Sequence, residues 1–340
     1  MQLPVLTIGI PTYNRSKLLD NLLDCIFKQL DGTVFAHKVQ VVVSNNNSTD
    51  DTEEVVDLYV KKGLNLIYSR NTENIGANNN ILKIGYELAQ TPYCWIIGDD
   101  DLIRDGGIAY YLKVLEGNSD VELFYLNHTN ELDTDRQLVI DKAAINSQKM
   151  MCSRNEDQLF PSGQPVLEVT THNALFTALS SFIFKTEVWK EHFIGYQPYA
   201  PFTSVANTFP HTVVLSQNLM QKPVYYVAYP YLAFFVGTQG WLSNWTLLMA
   251  SRVVELTDRF EHFGAGSTFL TTYRERVFAD SLHPFLKWFT GRDLPPWYHI
   301  NFIRYLFKYI KYKNFRRTVK KLFFIVLRIK LGRLKASPSL

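Results

Sequence analysis

The feature that most constrains this chain is an alternation. Over the first 126 residues, short apolar runs take turns with stretches whose apolar residues recur at helical spacing. Val5–Ile10, Val39–Val43, Leu64–Tyr68, Tyr93–Ile97 and Val121–Leu126 read as strands. Helices are expected around Leu18–Ile26, where Asn14 or Ser16 supplies a cap, over Asp50–Val60 and Ile75–Ala89, and from about Asp105 to Leu115. Strands that are apolar throughout and separated by amphipathic helices belong to a parallel sheet covered on both faces. The expected fold class is therefore α/β, a Rossmann-like, mostly parallel sheet with helices on both sides. Ligands of such sheets sit beyond the carboxyl ends of the strands. Four polar stretches fall there: Pro11-Thr12-Tyr13-Asn14-Arg15, Ser44 to Asp50, Arg70 to Asn74, and Asp99-Asp100-Asp101.

The rest of the chain is less regular. Residues 127–175 are loose and polar and read as long loops, while Ala178–Phe184 and Pro223–Val236 read as further strands. Helical stretches follow over Trp241–Phe263 and Ser267–Thr290, then a break at Asp293-Leu294-Pro295-Pro296, then a helical tail. The expected organisation is one domain over residues 1–236, with halves 1–126 and 127–236, and a helical C-terminal region over 237–340.

Composition narrows the function classes. With 46% hydrophobic residues the 340-residue chain is not disordered. The three cysteines, Cys25, Cys94 and Cys152, are far apart and form no C-x-x-C, which excludes a disulfide framework or structural zinc site and suits a reducing cytoplasm. No secretory leader is expected, because Met1-Gln2-Leu3-Pro4 runs directly into a strand. The net charge of +3 hides an asymmetry: residues 301–340 hold twelve Lys or Arg and no Asp or Glu, which leaves −9 on the first 300. A basic end calls for a local anionic partner. Its longest apolar stretch, Leu322–Leu327, is far too short to span a bilayer.

Asp99-Asp100-Asp101 carries the sharpest chemical signal. Adjacent carboxylates repel, and holding them together at a strand end is costly without a cation. A hard divalent ion, Mn²⁺ or Mg²⁺, would relieve that repulsion and keep coordination sites for diphosphate oxygens. The plainer reading is a solvated acidic turn before the helix near Asp105.

Taken in order, Ile8 to Arg15, Val43 to Asp50, Asn74-Ile75-Gly76 with Asn80, and Gly98 to Asp101 make the first 126 residues resemble a family 2 glycosyltransferase of GT-A fold. The resemblance implies an inverting, metal-dependent transfer of a sugar from a nucleoside diphosphate. The overall length and basic C-terminal extension look like bacterial enzymes of surface-polysaccharide synthesis, and specifically the abequosyltransferase-like group that adds 3,6-dideoxyhexoses to O-antigen units.

By motif, Pro11, Thr12, Tyr13 and Asn14 would line the nucleoside pocket, Tyr13 with its ring against a pyrimidine. Arg15 reads either as a phosphate contact or as the start of a helix. Asn74 and Asn80 would brace the loop and helix beside the nucleotide, with helix capping as the other reading of Asn74. Asp99 and Asp100 would serve both nucleotide and metal, and Asp101 the metal. Two departures from the family pattern matter. Where many relatives carry an acidic residue that accepts the N3–H of uracil or thymine, this chain has Asn45 and Asn46. An amide has a donor and an acceptor to match cytosine, which favours a CDP-linked sugar such as CDP-abequose; the other reading is an Asx turn. The Glu-Asp pair that usually supplies the general base is also missing. His211 stands in the corresponding stretch Phe209–Leu215 as candidate base, with His172, His192 and Glu187 behind it.

The expected acceptor is a lipid-linked, undecaprenyl-type oligosaccharide. The basic, aromatic-rich tail would hold the enzyme on an anionic membrane surface, peripherally on the inner face of the bacterial cytoplasmic membrane. The other reading of the tail is a basic helix packed on the catalytic domain. No nucleic-acid partner is expected, since no RNA-binding module accompanies the charge. Competing classes are the same fold with dTDP-rhamnose or a UDP-hexose, a nucleotidyltransferase, whose glycine-rich phosphate loop Ile10–Ser16 lacks, and a non-catalytic sugar- or lipid-binding protein.

Overall fold

The apolar run after Pro4 forms β1 (Leu6–Thr12) in a computed structural model that describes residues 3–132, 134, 150–169, 176–198, 200–237, 244–290, 294 and 300–330. It lies between β2 (Val39–Asn45) and β4 (Tyr93–Ile96), with β3 (Leu66–Arg70) outside β2, and all four strands are parallel. Their side chains are nearly all buried in β1, β2 and β4, as a sheet covered on both faces requires. Helix α1 (Ser16–Leu30) buries Leu19, Leu22, Leu23, Ile26 and Leu30, the stripe that its 3.6-residue spacing predicts. Helices α2 (Thr52–Lys61), α3 (Ala77–Lys83) and α4 (Gly107–Gly117) follow the other strands, and α3 runs on through a π-helical turn, Ile84–Leu88. That turn packs directly on the β1 backbone: a Cβ at Gly9 would lie 2.3 Å from Ile84 Cγ2.

Beyond β4 the sheet becomes mixed. β8 (Phe182–Lys185) is antiparallel to both β4 and β6 (Leu123–Leu132); β9 (Val224–Val236) runs parallel to β6, and β5 (Leu102–Ile103) and β7 (Gln158–Phe160) pair antiparallel with β9. The order is β3-β2-β1-β4-β8-β6-β9-β5, with β7 beside β9.

Several boundaries differ from expectation, each for a physical reason. The stretch 127–175 is not all loop, because β6 runs on to Leu132 and β7 and the helix Gln164–Val169 fall within it. Polar residues of β6 are buried but partnered. Asn127 donates to Cys152 O (3.1 Å) and Ala228 O (2.9 Å), and Glu131 pairs with Arg104 at 3.0 Å. An internally bonded polar strand lacks the hydrophobic alternation that announces one. The strand expected over Ala178–Phe184 starts at Phe182, after a 3₁₀ turn. The helix expected over Ser267–Thr290 is two, Ser267–Ala279 and Leu282–Thr290, parted at Asp280-Ser281.

Contacts divide the chain into one unit of Met1–Tyr199 with Phe209–Gln239, which holds the sheet, and a second of Ala200–Thr208 with Gly240–Leu340. The second unit is helical. Its core gathers Phe278, Phe285, Tyr305, Tyr309, Tyr312 and Phe315, with Arg274 buried at its edge. The tail forms Phe302–Tyr309 and Lys313–Lys330. Glu275 caps the latter, accepting the backbone N–H of Lys313 and Asn314, each at 2.6 Å. Among the described residues no helix is long and apolar enough to cross a membrane.

Candidate active site

Strand register brings the candidate residues together. Thr12 stands beside Asn45 and Asn45 beside Arg70, while Gly9 stands beside Ile96. Three residues beyond that last pair, Thr12 and Asp99 reach the same level, and Thr12 Oγ1 donates to Asp99 Oδ2 at 2.8 Å. Arg15, just before α1, donates from Nη1 to Asp99 Oδ1 (3.0 Å) and to Asp100 Oδ2 (3.3 Å). Tyr13 between them keeps 43% of its surface exposed at the mouth of the edge, while Pro11 is half-buried within β1.

The asparagines tie these loops to one another. Asn14, at φ 53°, accepts from Thr49 N at 2.8 Å, and its own N–H donates to Ser48 Oγ at 2.9 Å. Asn45 accepts from Ser48 N and donates to Tyr68 OH, each at 2.8 Å, so its amide shapes the turn rather than facing a base. Asn46 accepts from Asn71 Nδ2 and from Ile75 N, each at 3.0 Å, and donates to Asn74 Oδ1 at 2.8 Å. Asn74 also accepts from Gly76 N at 2.9 Å. Gly76, at φ 85°, takes a backbone turn that side chains resist. Asn80 bonds Ser44 through both amide ends, at 2.7 Å to the hydroxyl and 2.8 Å to the carbonyl. Asp50, whose place in the motif had suggested no separate role, accepts from Ser16 N at 2.8 Å and so caps α1 from a neighbouring loop.

The three carboxylates do not act as one group. Asp101 is 1% exposed and turns inward, accepting from Ser180 Oγ and from Phe235 N at 3.2 Å. Ser180 Oγ also accepts from Gly98 N at 3.0 Å, so this serine clamps both ends of the acidic turn. Only its polarity ahead of an apolar run marks Ser180 in the sequence. Burial and the charge of Asp100 hold the Asp101 carboxyl well above the usual range. Among the described residues no three His, Cys, Asp or Glu gather as a ligand set; all three aspartates are buried, Asp99 and Asp100 against Arg15 and Asp101 against Ser180 and Phe235. Burial, followed by the charge of Asp100, pushes Asp99 up to about 6 against the pull of Arg15 and Thr12. Two crowded hard-oxygen donors at a sheet edge fit Mg²⁺ or Mn²⁺, ions that take one or two carboxylates and complete their shell with substrate phosphates and water.

The expected base is placed differently from the sequence reading. His211 lies in the first turn of the helix Pro210–Gln221, buried, with its ring centroid 6.3 Å from that of Phe182. Burial lowers its pKa to about 4, partly offset by the backbone of Thr177 and Phe176. Efficient bases have pKa values near the working pH, and burial holds His211 below that range. Glu187 is exposed in the first turn of the helix Thr186–Glu191, where its charge suits the helix N-terminus, and half-buried His192 caps the other end. His172 lies outside the described residues.

The low pKa of His211 gives a stability prediction. The folded state resists protonation, so this histidine's contribution is intact above pH 6.5 and is lost as pH falls from 6.5 towards 4. The loss at the acid end is on the order of 3 kcal/mol. Denaturant melts of wild type and His211→Gln across that range are expected to converge as pH falls; parallel curves would show that the ring titrates normally.

Residues 7–168 match the model of glycosyl transferase family 2. The abequosyltransferase RfbV of Salmonella typhimurium is 30% identical over 192 residues, 54% of this chain and 54% of that protein. A GalNAc(5)-diNAcBac-PP-undecaprenol beta-1,3-glucosyltransferase of Campylobacter jejuni is 28% identical over 124 residues, 35% of this chain and 37% of that one. The chain thus spans about half, or less, of the length of these relatives. In fold it is similar to S. aureus TarS 1–349 solved with UDP, at a TM-score of 0.51 and 16% identity, over 82% of this chain and 72% of the other. That likeness gives the architecture, GT-A. Residues 7–168, just under half of the chain, carry the loops from Thr12 to Asp101 and are the part that is similar to glycosyl transferase family 2.

Proposed function

We propose that this chain transfers a sugar, with inversion, from a cytidine-diphosphate donor to a lipid-linked oligosaccharide at the inner face of a bacterial cytoplasmic membrane. The observation that carries the reading is the Asp99–Asp100 pair joined by Arg15 at the carboxyl edge of parallel strands, beside exposed Tyr13. Tyr13 offers a ring for the base to stack on. Asp99 and Asp100 would hold a divalent ion, which when bound neutralises charge on the departing diphosphate. Arg15 is close enough to move from the carboxylates to a phosphate once that ion is present. Thr12 and Ser180 keep the acidic turn in place throughout.

Asn46 supports cytosine. Its Oδ1 already accepts two protein N–H groups, so what it can still present to a ligand is an amide N–H. That donor matches the N3 acceptor of cytosine and opposes the N3–H of uracil. The names of the relatives, one an abequosyltransferase and one acting on an undecaprenol-linked glycan, fit a dideoxysugar donor and a lipid-linked acceptor.

Titration calorimetry with CDP, UDP and dTDP, each with and without Mn²⁺, tests the reading. CDP with Mn²⁺ is expected to bind tightest. Asn46→Asp removes the N–H and sets an oxygen against Asn74 Oδ1, so CDP affinity is expected to drop about tenfold while UDP gains relative to it. Clearly tighter UDP binding by the wild type would refute cytosine and leave family 2 chemistry standing.

A further inference from the structure

The two tail helices each have two apolar faces, and the fold uses only one. On the inner side Tyr305, Tyr309, Tyr312, Phe315, Thr318 and Leu322 are buried in the core of the second unit. Thr318 Oγ1 donates to Phe278 O at 2.8 Å, which fixes the Lys313–Lys330 helix in rotation. The other side is exposed. Ile303, Phe307 and Ile310, at i, i+4 and i+7, form one stripe, with Ile303 66% and Phe307 77% exposed. Phe323, Phe324 and Leu327 are exposed on the longer helix, 61%, 51% and 41%. An amphipathic helix whose inner face is already packed has no need of these residues for folding.

The cations sit among them. Arg304 and Lys311 flank the first stripe, and Arg317, Lys320, Lys321 and Arg328 share the exposed side of the longer helix with the second cluster. No Asp or Glu occurs anywhere in residues 301–340. A protein partner would need an acidic and apolar surface of matching shape. A nucleic acid would use the charge but leave bulky aliphatic residues such as Ile303 and Leu327 in water. An anionic bilayer answers both at once: its headgroups take the cations, and the boundary with the acyl chains takes the apolar side chains.

We propose that the outward faces of Phe302–Tyr309 and Lys313–Lys330 form an interfacial docking surface for anionic phospholipid, with Ile303, Phe307, Phe323 and Phe324 as the inserting side chains. The helices lie in the headgroup plane and do not cross. The proposal specifies how the enzyme of the preceding section meets its membrane, and it rests on that reading only for its purpose. A lipid-linked acceptor is confined to the bilayer, and a docked enzyme meets it at raised effective concentration.

The test is flotation of the full chain with vesicles of phosphatidylcholine alone or with 30% phosphatidylglycerol, with CDP calorimetry on the same preparations. Each cation near the surface is worth about fivefold in partition. Wild type is expected to float with the anionic vesicles and not the neutral ones. Lys320→Glu/Lys321→Glu is expected to lower partition at least a hundredfold at low salt, and Phe323→Ser/Phe324→Ser about tenfold. Thermal melting checks that both variants remain folded. Equal flotation with both vesicle types, none with either, or variants that float like wild type would overturn the proposal. So would retention on a single-stranded RNA without vesicle binding. Vesicle binding with no CDP affinity would instead sink the transferase reading and leave this surface in place.

Discussion

Asp99→Asn and Asp100→Asn are each expected to lower turnover by at least about a hundredfold, with a smaller change in melting temperature than Asp101→Asn, because the Thr12 hydroxyl can turn to accept from an amide at position 99. The reason is charge placement. Both side chains meet the Arg15 guanidinium at the sheet edge, and an amide keeps the shape while removing the anion that would hold a divalent ion. Losing one preorganised electrostatic contact to a transition state costs about a hundred- to a thousandfold in catalysed reactions. Asp101→Asn is expected to behave differently. Its carboxylate accepts two hydrogen bonds in the interior, so the amide must turn an N–H towards either Ser180 or the Phe235 N–H. Instability is the expected phenotype there, with loss of activity following from it. Turnover and thermal melting measured side by side separate the cases. Full activity in EDTA, or full activity of Asp99→Asn, would remove the ion and this pair from the reaction.

The second large effect is expected far from the chemistry. Arg274, with its side chain 1% exposed, donates to Thr257 Oγ1 (2.7 Å), Tyr312 OH (2.8 Å), Asp258 (2.8 Å) and Glu261 (2.8 Å). It joins the helices Val254–His262 and Ser267–Ala279 to the tail. Arg274→Met keeps the stem and deletes the fork. Breaking a buried ion pair from one side costs about 3–5 kcal/mol. Because Asp258 and Glu261 retain 23% and 43% exposure, water takes up part of their charge, and the lower end of that range, about 3 kcal/mol, is expected. Denaturant melts of the full chain should show this as an earlier transition, and a midpoint equal to wild type would show that the network contributes nothing net.

How much was legible in advance depended on where each residue finds its partner. The four parallel strands were readable because β1, β2 and β4 are apolar on both faces, so burial itself is written into residue type. α1 was readable from the spacing of five leucine and isoleucine positions. By contrast β6 carries Asn127, His128, Thr129 and Glu131 in its buried second half. Their partners, among them Cys152 O, Ala228 O and Arg104, lie 25 to 101 residues away, and no local pattern reveals them. β5 and β7, of two and three residues, exist through pairing with β9 rather than through any signal of their own.

The candidate site divides along the same line. Its location and its residue types came from the chain itself, since parallel topology places every strand-end motif on one edge and the motifs are local. What each side chain does there was decided by tertiary contacts. Asn14 and Asn45, which read as nucleoside contacts, hold loops together, while Asn74 and Asn80, which read as braces, bond Gly76 and Ser44. Three adjacent carboxylates that looked equivalent are divided by Ser180 and Phe235, which turn Asp101 inward and leave Asp99 and Asp100 facing Arg15. His211 stands where the resemblance places a base, and burial holds its pKa below the ordinary value. The physical reason is common to all three: type and order along the chain set which groups reach the edge, but the protonation and free valence of a polar group depend on neighbours that only folding supplies.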